Sequence, residues 1–120
     1  MTAEDIRAYC LTKPYTTESF PFDETTLVFK VLNKIFALLN LDGALSINLK
    51  CDPEKAIELR EHYPYVLPGY HMNKALWNTV MVENTIDPHL LKEWIDDSYN
   101  LIVEKLPVKD RKLIAQAERD

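Results

Sequence analysis

The chain has 120 residues and a mass of 14.0 kDa, the length of a single domain (residues 1–120) able to bury its own core. Its 47% hydrophobic and 28% charged residues, with only 2 glycines, exclude a disordered or low-complexity chain. The net charge of −5 argues against a general polyanion binder, which needs surplus Lys and Arg, while leaving room for local basic patches.

The first predicted element is a helix over TAEDIRAYCLTK, with Thr2 as N-cap and Asp5 closing a variant capping box. Ile6, Tyr9 and Cys10 share one of its faces, and Pro14 ends it. Thr17 to Phe22 (TESFPF) reads as an edge or irregular strand because it contains Pro21. Leu27 to Val31 is a strand, Leu32-Asn33 a tight turn, and Lys34 to Asn40 a strand apolar enough to be covered on both sides. Asn40-Leu41-Asp42-Gly43 is a turn in which Gly43 suits a positive φ. In LSINLKC, Leu45, Ile47, Leu49 and Cys51 point inward while Ser46, Asn48 and Lys50 point outward. Short turns between these strands imply an antiparallel meander with one wetter face.

Asp52-Pro53 starts a second helix that runs to about Tyr63, and Pro64 stops it. VLPGY is a short extended piece, and Trp77 to Glu83 is a strand whose Trp77, Thr79 and Met81 share a face. Asp87-Pro88 opens the strongest helix, with an apolar stripe from Leu91 through Trp94, Ile95, Ser98, Tyr99, Ile102 and Val103 to Leu106. Pro107 ends it, and VKDRKLIAQA forms one short terminal helix. The fold class expected is α+β: a two-layer domain with a curved antiparallel sheet, a meander plus further strands, packed against helices on one face.

Chemistry-bearing groups are sparse. Cys10 and Cys51 fit neither a CxxC nor a Cys/His pattern and read as buried structural thiols; His62, His71 and His89 are isolated, so no metal is expected. Carboxylates pair at Asp23-Glu24 and at Asp96-Asp97, the latter reading as a solvated face, and two glycines cannot build a phosphate-cradling loop. No acid, base and nucleophile set emerges, so no enzyme activity and no cofactor are expected. The N-terminus lacks a signal-peptide core, and no apolar run reaches the roughly 20 residues that span a bilayer. The expectation is a reduced, cytoplasmic, membrane-free protein, a monomer.

Basic residues fall in two groups: Lys30, Lys34 and Lys50 on or beside the meander, and Lys105, Lys109, Arg111 and Lys112 around Pro107. The densest collection of polar and aromatic side chains is PGYHMNKALWNTV, Pro68 to Val80. Its Tyr70, His71, Asn73, Lys74 and Trp77 can stack on bases and contact phosphates, or they can cap a core with their polar tips in water.

LPGYHMNKALWNTV, followed by an acidic-Pro helix ending in SYNLIVEKLP, resembles the MmcQ/YjbR family of bacterial proteins, described as DNA-binding with a "double wing" motif. The resemblance runs over nearly the whole chain, including SFPF and DPEKA. It implies a fold similar to type III secretion chaperones, with hairpin wings near Asn33 and Asp42. Its motif falls on Pro68, Gly69, Tyr70, His71, Asn73, Lys74, Trp77 and Thr79, with Ser98 and Tyr99 in the last long helix. It also implies weak, salt-dependent DNA binding, in which Lys30, Lys34, Lys50 and Lys74 touch phosphates and Tyr70, His71, Asn73 and Trp77 stack or hydrogen-bond. The alternative is a protein- or peptide-interaction module using the same sheet face. Surface charge separates the two. A basic saddle favours nucleic acid, whereas an acidic or apolar concave face bearing Trp77 favours a protein or small molecule.

Overall fold

The computed structural model describes residues 1–69, 72–82 and 86–119. Among them four helices and six strands follow the order α1 (Ala3–Leu11), β1 (Thr16–Ser19), β2 (Thr26–Val31), β3 (Lys34–Asn40), β4 (Ser46–Lys50), α2 (Pro53–His62), β5 (Val66–Pro68), β6 (Trp77–Met81), α3 (Pro88–Glu104) and α4 (Val108–Arg119). No helix among the described residues is long and apolar enough to cross a membrane.

Local signals account for most element ends. Thr2 Oγ1 accepts from the Asp5 amide at 3.1 Å, and Asp5 returns the bond to the Thr2 amide at 2.9 Å, so the capping box closes. The Asp87 carboxylate caps α3 through the His89 amide at 2.9 Å. Asp52 precedes α2 but makes no side-chain cap bond, leaving Pro53 as the start signal there. Leu32 and Asn33 both take positive φ (45° and 71°), the geometry of a two-residue hairpin turn, and Gly43 sits at φ 70° as its position requires. Several element bounds change, and β6 ends at Met81, short of the Glu83 expected, which lies outside the described residues. Strand β1 stops at Ser19, because Pro21 has no amide to offer the ladder and Phe20–Phe22 leave the sheet. Helix α4 runs for 12 residues, longer than the short terminal helix expected.

The strands form one antiparallel sheet in the order β1-β2-β3-β4-β6-β5. The chain leaves β4, passes through α2, lays β5 at the far edge and returns with β6 to fill the gap beside β4. One face carries the main core, where Phe29, Phe36, Leu39 and Ile47 meet Ile6, Leu91, Trp94, Ile95, Tyr99 and Ile114. Ion pairs knit the helices around that core. Arg7 holds Glu18 at 2.5 Å, Lys55 holds Asp97 at 2.9 Å, and Asp96 receives both Lys13 and the Tyr9 hydroxyl. The Asp96-Asp97 pair is therefore not a free solvated face: the two carboxylates point to different neighbouring helices and each takes a cation.

Both thiols are buried, as expected. Desolvation pushes the Cys10 thiol from its ordinary 9.0 up to about 12 and raises Cys51 as well; it also pushes the Tyr99 phenol from 10.0 to about 12. In the unfolded chain these groups lose their protons first, so their contribution is intact below about pH 9 and is lost as pH rises towards 12. Thermal melts from pH 8 to 11 should show a falling midpoint. At pH 7.5 neither thiol should react with an aromatic disulfide reagent until denaturant is added. Stoichiometric reaction of the native protein would refute this burial.

Candidate binding basin on the open face of the sheet

The face of the sheet away from the helices is built in three rows set by strand register. The first row holds Lys30 opposite Ile35 and Lys50 opposite Trp77. The second runs Val28, Leu38, Asn48, Thr79, Leu67, and the third Thr26, Asn40, Ser46, Met81. The apolar members do not stay bare. Val28, Leu38 and Trp77 form a second, smaller buried cluster, closed over by Ile35, Met72 and Leu76.

Next to this cluster the second and third rows form the floor of an open basin of about 870 Å³. Phe22, Asp23 and Thr25 line it from the segment between β1 and β2, Asp42 and Ala44 from the turn between β3 and β4, and Met72 from the segment before β6. The loop between β1 and β2 is fixed by Asp23, whose Oδ1 accepts from the Thr25 and Thr26 amides at 2.9 and 2.6 Å and whose Oδ2 accepts from the Thr26 hydroxyl at 3.1 Å. Those backbone bonds hold its carboxyl below the usual carboxylate range, so Asp23 stays anionic. The loop is also tied down at the Leu41 amide, which donates to the Thr25 carbonyl at 2.8 Å. On the floor, the Thr79 hydroxyl donates to Asn48 Oδ1, fixing the amide and leaving its Nδ2 as a donor. Asn40 and Asp42 close their turn on one another, with the Asn40 amide spent on the Asp42 backbone. No lysine or arginine lines the basin among the described residues, and no group of three or more His, Cys, Asp and Glu is placed to hold a metal ion.

The residues singled out from sequence fall elsewhere. Lys30 and Lys50 occupy the first row, at the end of the sheet by the Leu32-Asn33 turn, with exposed Lys34 in that hairpin. Burial lowers the Lys50 ammonium from its ordinary range, and Lys105 alongside lowers it further. Lys74 is exposed, and its carbonyl accepts from Arg60 at 3.3 Å. Asn73 spends its side-chain oxygen on the Ala75 amide at 2.9 Å, a local turn bond. Tyr70 and His71 lie outside the described residues. Trp77 is 8% exposed within the small cluster, so it offers no face for stacking; its core-cap reading holds and its contact reading does not. The two hairpin turns expected as wings sit at opposite ends of β3, roughly 20 Å apart, as consecutive turns of a meander must.

Other motif residues turn out to be structural. Gly69 donates its amide to the Trp77 carbonyl at 2.9 Å, and a Cβ there would lie 2.7 Å from both that oxygen and Trp77 Cβ. Only glycine lets β5 approach β6 this closely. The Ser98 hydroxyl accepts from the Lys50 amide at 2.8 Å and donates to the Phe36 carbonyl at 2.6 Å, and the Tyr99 hydroxyl donates to the Pro14 carbonyl at 2.6 Å. Of the basin's own set, sequence reading placed none of Asp23, Ser46 and Asn48 at a site and named Thr79 only as a motif position. Their signal was present in part, since Ser46, Asn48 and Thr79 alternate outward. The β4–β6 pairing that joins them is a long-range contact that alternation does not encode.

An antiparallel sheet with helices on one face and a lined hollow on the other defines an open-faced α+β sandwich. A family model described as YjbR matches residues 11–101. The chain belongs to the YjbR family. It is 39% identical to the Escherichia coli O157:H7 protein YbdF over 112 residues, 92% of each chain. It is 32% identical to the Escherichia coli K12 protein YjbR, over 97% of this chain and 99% of that one. Among solved structures, a Deinococcus radiodurans protein carrying the domain DUF419 superposes with a TM-score of 0.88 at 40% identity, covering 95% of this chain and 88% of its own. A Pseudomonas syringae protein does so with a TM-score of 0.74 at 28% identity, over 84% of this chain and 98% of its own.

Proposed function

We propose that this protein is a non-catalytic binding module whose partner enters the basin on the open face of the sheet. The observation that supports this is the basin's lining. A sizeable concave hollow presents hydroxyl, amide and carboxylate groups beside the apolar surfaces of Leu38, Met72 and Met81, the mixture typical of ligand pockets. Phosphate recognition calls for cations, and the described lining has none. The concave face is acidic and partly apolar, with Trp77 packed beside it rather than on it, and its charge supports a protein or small-molecule partner over nucleic acid.

Duplex DNA is the second reading, favoured by Lys30, Lys34 and Lys50 at one end of the sheet. Among the described residues it rests on phosphate contact, because Trp77 is unavailable for stacking.

Amide chemical-shift mapping on the full chain separates the two. A fragment library should shift Thr26, Leu38, Ser46, Asn48 and Thr79, and Ser46→Leu, which fills the floor, should abolish those shifts while the melting midpoint holds. A short duplex in about 50 mM salt should leave these residues unmoved. If the duplex binds, Lys34→Glu or Lys74→Glu weakens it, and no fragment enters the basin, then the DNA reading replaces this one.

A further inference from the structure

We propose that the basin selects a small organic amine, its ammonium placed between Asp23 and Asp42 and an oxygen acceptor further along meeting Asn48 and Ser46. This deepens the proposed function and rests on it. Three observations carry it, and each concerns a different part of the basin.

The first is charge. Asp23 and Asp42 are the ionisable side chains of the described lining, both acidic and with no cation between them. Asp23 is held in place by the Thr25 and Thr26 amides, so its carboxylate is oriented before any ligand arrives. Neither carboxylate forms an ion pair among the described residues, in contrast to Glu18, Asp96 and Asp97, which all do. The negative net charge of the chain adds a weak long-range attraction for cations.

The second is an unspent hydroxyl. Ser46 is only 8% exposed and lines the basin, yet its side chain takes no hydrogen-bond partner among the described residues. Its oxygen is not among the fully buried side-chain atoms without a partner, Thr16 Oγ1 and Asn78 Oδ1; it opens on the basin and is free to bond a ligand there. Beside it, Thr79 occupies Asn48 Oδ1, so Asn48 presents its NH₂ and calls for an acceptor. The floor therefore asks for an oxygen.

The third is the apolar part of the lining. Leu38, Met72 and Met81 supply an apolar stretch that suits methylenes. Methionines adapt to chains of different shape, which fits a flexible aliphatic body. A ligand with an ammonium, a short hydrocarbon spacer and a carbonyl or hydroxyl satisfies the whole lining. A carboxylate or phosphate in place of the ammonium would meet like charge.

The test uses three probes on a six-carbon amide: 6-aminohexanamide, its N-acetylated form and the monoamide of adipic acid. Each is titrated into the full chain and followed by amide shifts. The amine should move Ser46, Asn48 and Thr79 and bind roughly tenfold more tightly than its neutral or acidic counterparts. Asp23→Asn keeps the loop-capping oxygen, and Asp42→Asn leaves the floor untouched; each should weaken the amine by roughly threefold, as should raising salt from 50 to 500 mM. Equal binding of the acetylated form, or preference for the acid, overturns the amine selection while leaving the basin as a binding site. So does a set of probes that all fail where other fragments enter. Shifts confined to the lysine end of the sheet overturn it too. If neither amine nor any fragment enters the basin, both the inference and the binding-module reading fall.

Discussion

Replacing Trp77 with alanine should lower the stability of this protein by roughly 3–5 kcal/mol, the usual cost of deleting a buried large aromatic. The position invites a different expectation, since Trp77 stands on the face of the sheet that carries no helices. It is nevertheless 8% exposed, because Val28 and Leu38 flank it on the floor while Met72 and Leu76 fold over it. Its removal leaves a hole under a loop that has little else apolar to rest on. The same Leu38 and Met72 line the basin, so the substitution should also loosen the binding surface. Urea unfolding gives the stability change. At about 4 °C per kcal/mol for a domain of this size, the melting midpoint should fall by more than 10 °C. Trp77→Phe, which keeps much of the apolar volume, should cost well under half as much. A loss below about 1 kcal/mol for the alanine variant would mean that the side chain is not packed as described, and would reopen its use as a stacking platform.

The fold was legible where the signals are local. Asp87-Pro88, the alternation of Ser46 to Lys50 and the Leu32-Asn33 turn each determine a structure within a few residues, and each appears as expected. The motif segment was harder to read, because burial on the open face depends on residues far away in the chain. Nothing in Trp77 or its neighbours specifies that Val28 and Leu38 will lie beneath it. Asn73 and Lys74 were singled out as contact residues on their chemistry, but the Asn73 side-chain oxygen is spent on its own turn. The Asp23-Glu24 pair stood out only as adjacent carboxylates. The role of Asp23 as a loop cap at the basin emerges only when Leu41 anchors that loop against the sheet. Lysines could be placed on strands from sequence, yet their distance from the basin follows from register, which the bulge at Phe36 resets.

That bulge leads to the second large effect, at Ser98. Phe29 faces Ala37, Lys30 faces Ile35, and Phe36 is left without a partner on β2; on its other side the β3–β4 ladder stops at Ala37 and Leu49. The next carbonyl and amide, those of Phe36 and Lys50, are joined instead through one hydroxyl. Ser98 accepts from the Lys50 amide and donates to the Phe36 carbonyl from a fully buried position on α3. A hydroxyl is the smallest group that can both donate and accept here, and the site is packed too closely for a larger one. Ser98→Ala removes both bonds at once and strands two backbone groups in the core, so stability should fall by roughly 2–4 kcal/mol, more than the loss of a solvated serine. Hydrogen exchange provides a local readout. The Lys50 amide should lose protection well beyond that of Leu49 or Ile47, whose ladder bonds are untouched. The loss should also reach the first row of the open face, because Lys50 pairs with Trp77 across β4 and β6. If Ser98→Ala unfolds at the same urea concentration as the parent and Lys50 exchanges no faster, the hydroxyl is not the bridge between helix and bulge. The ladder would then have to close on its own.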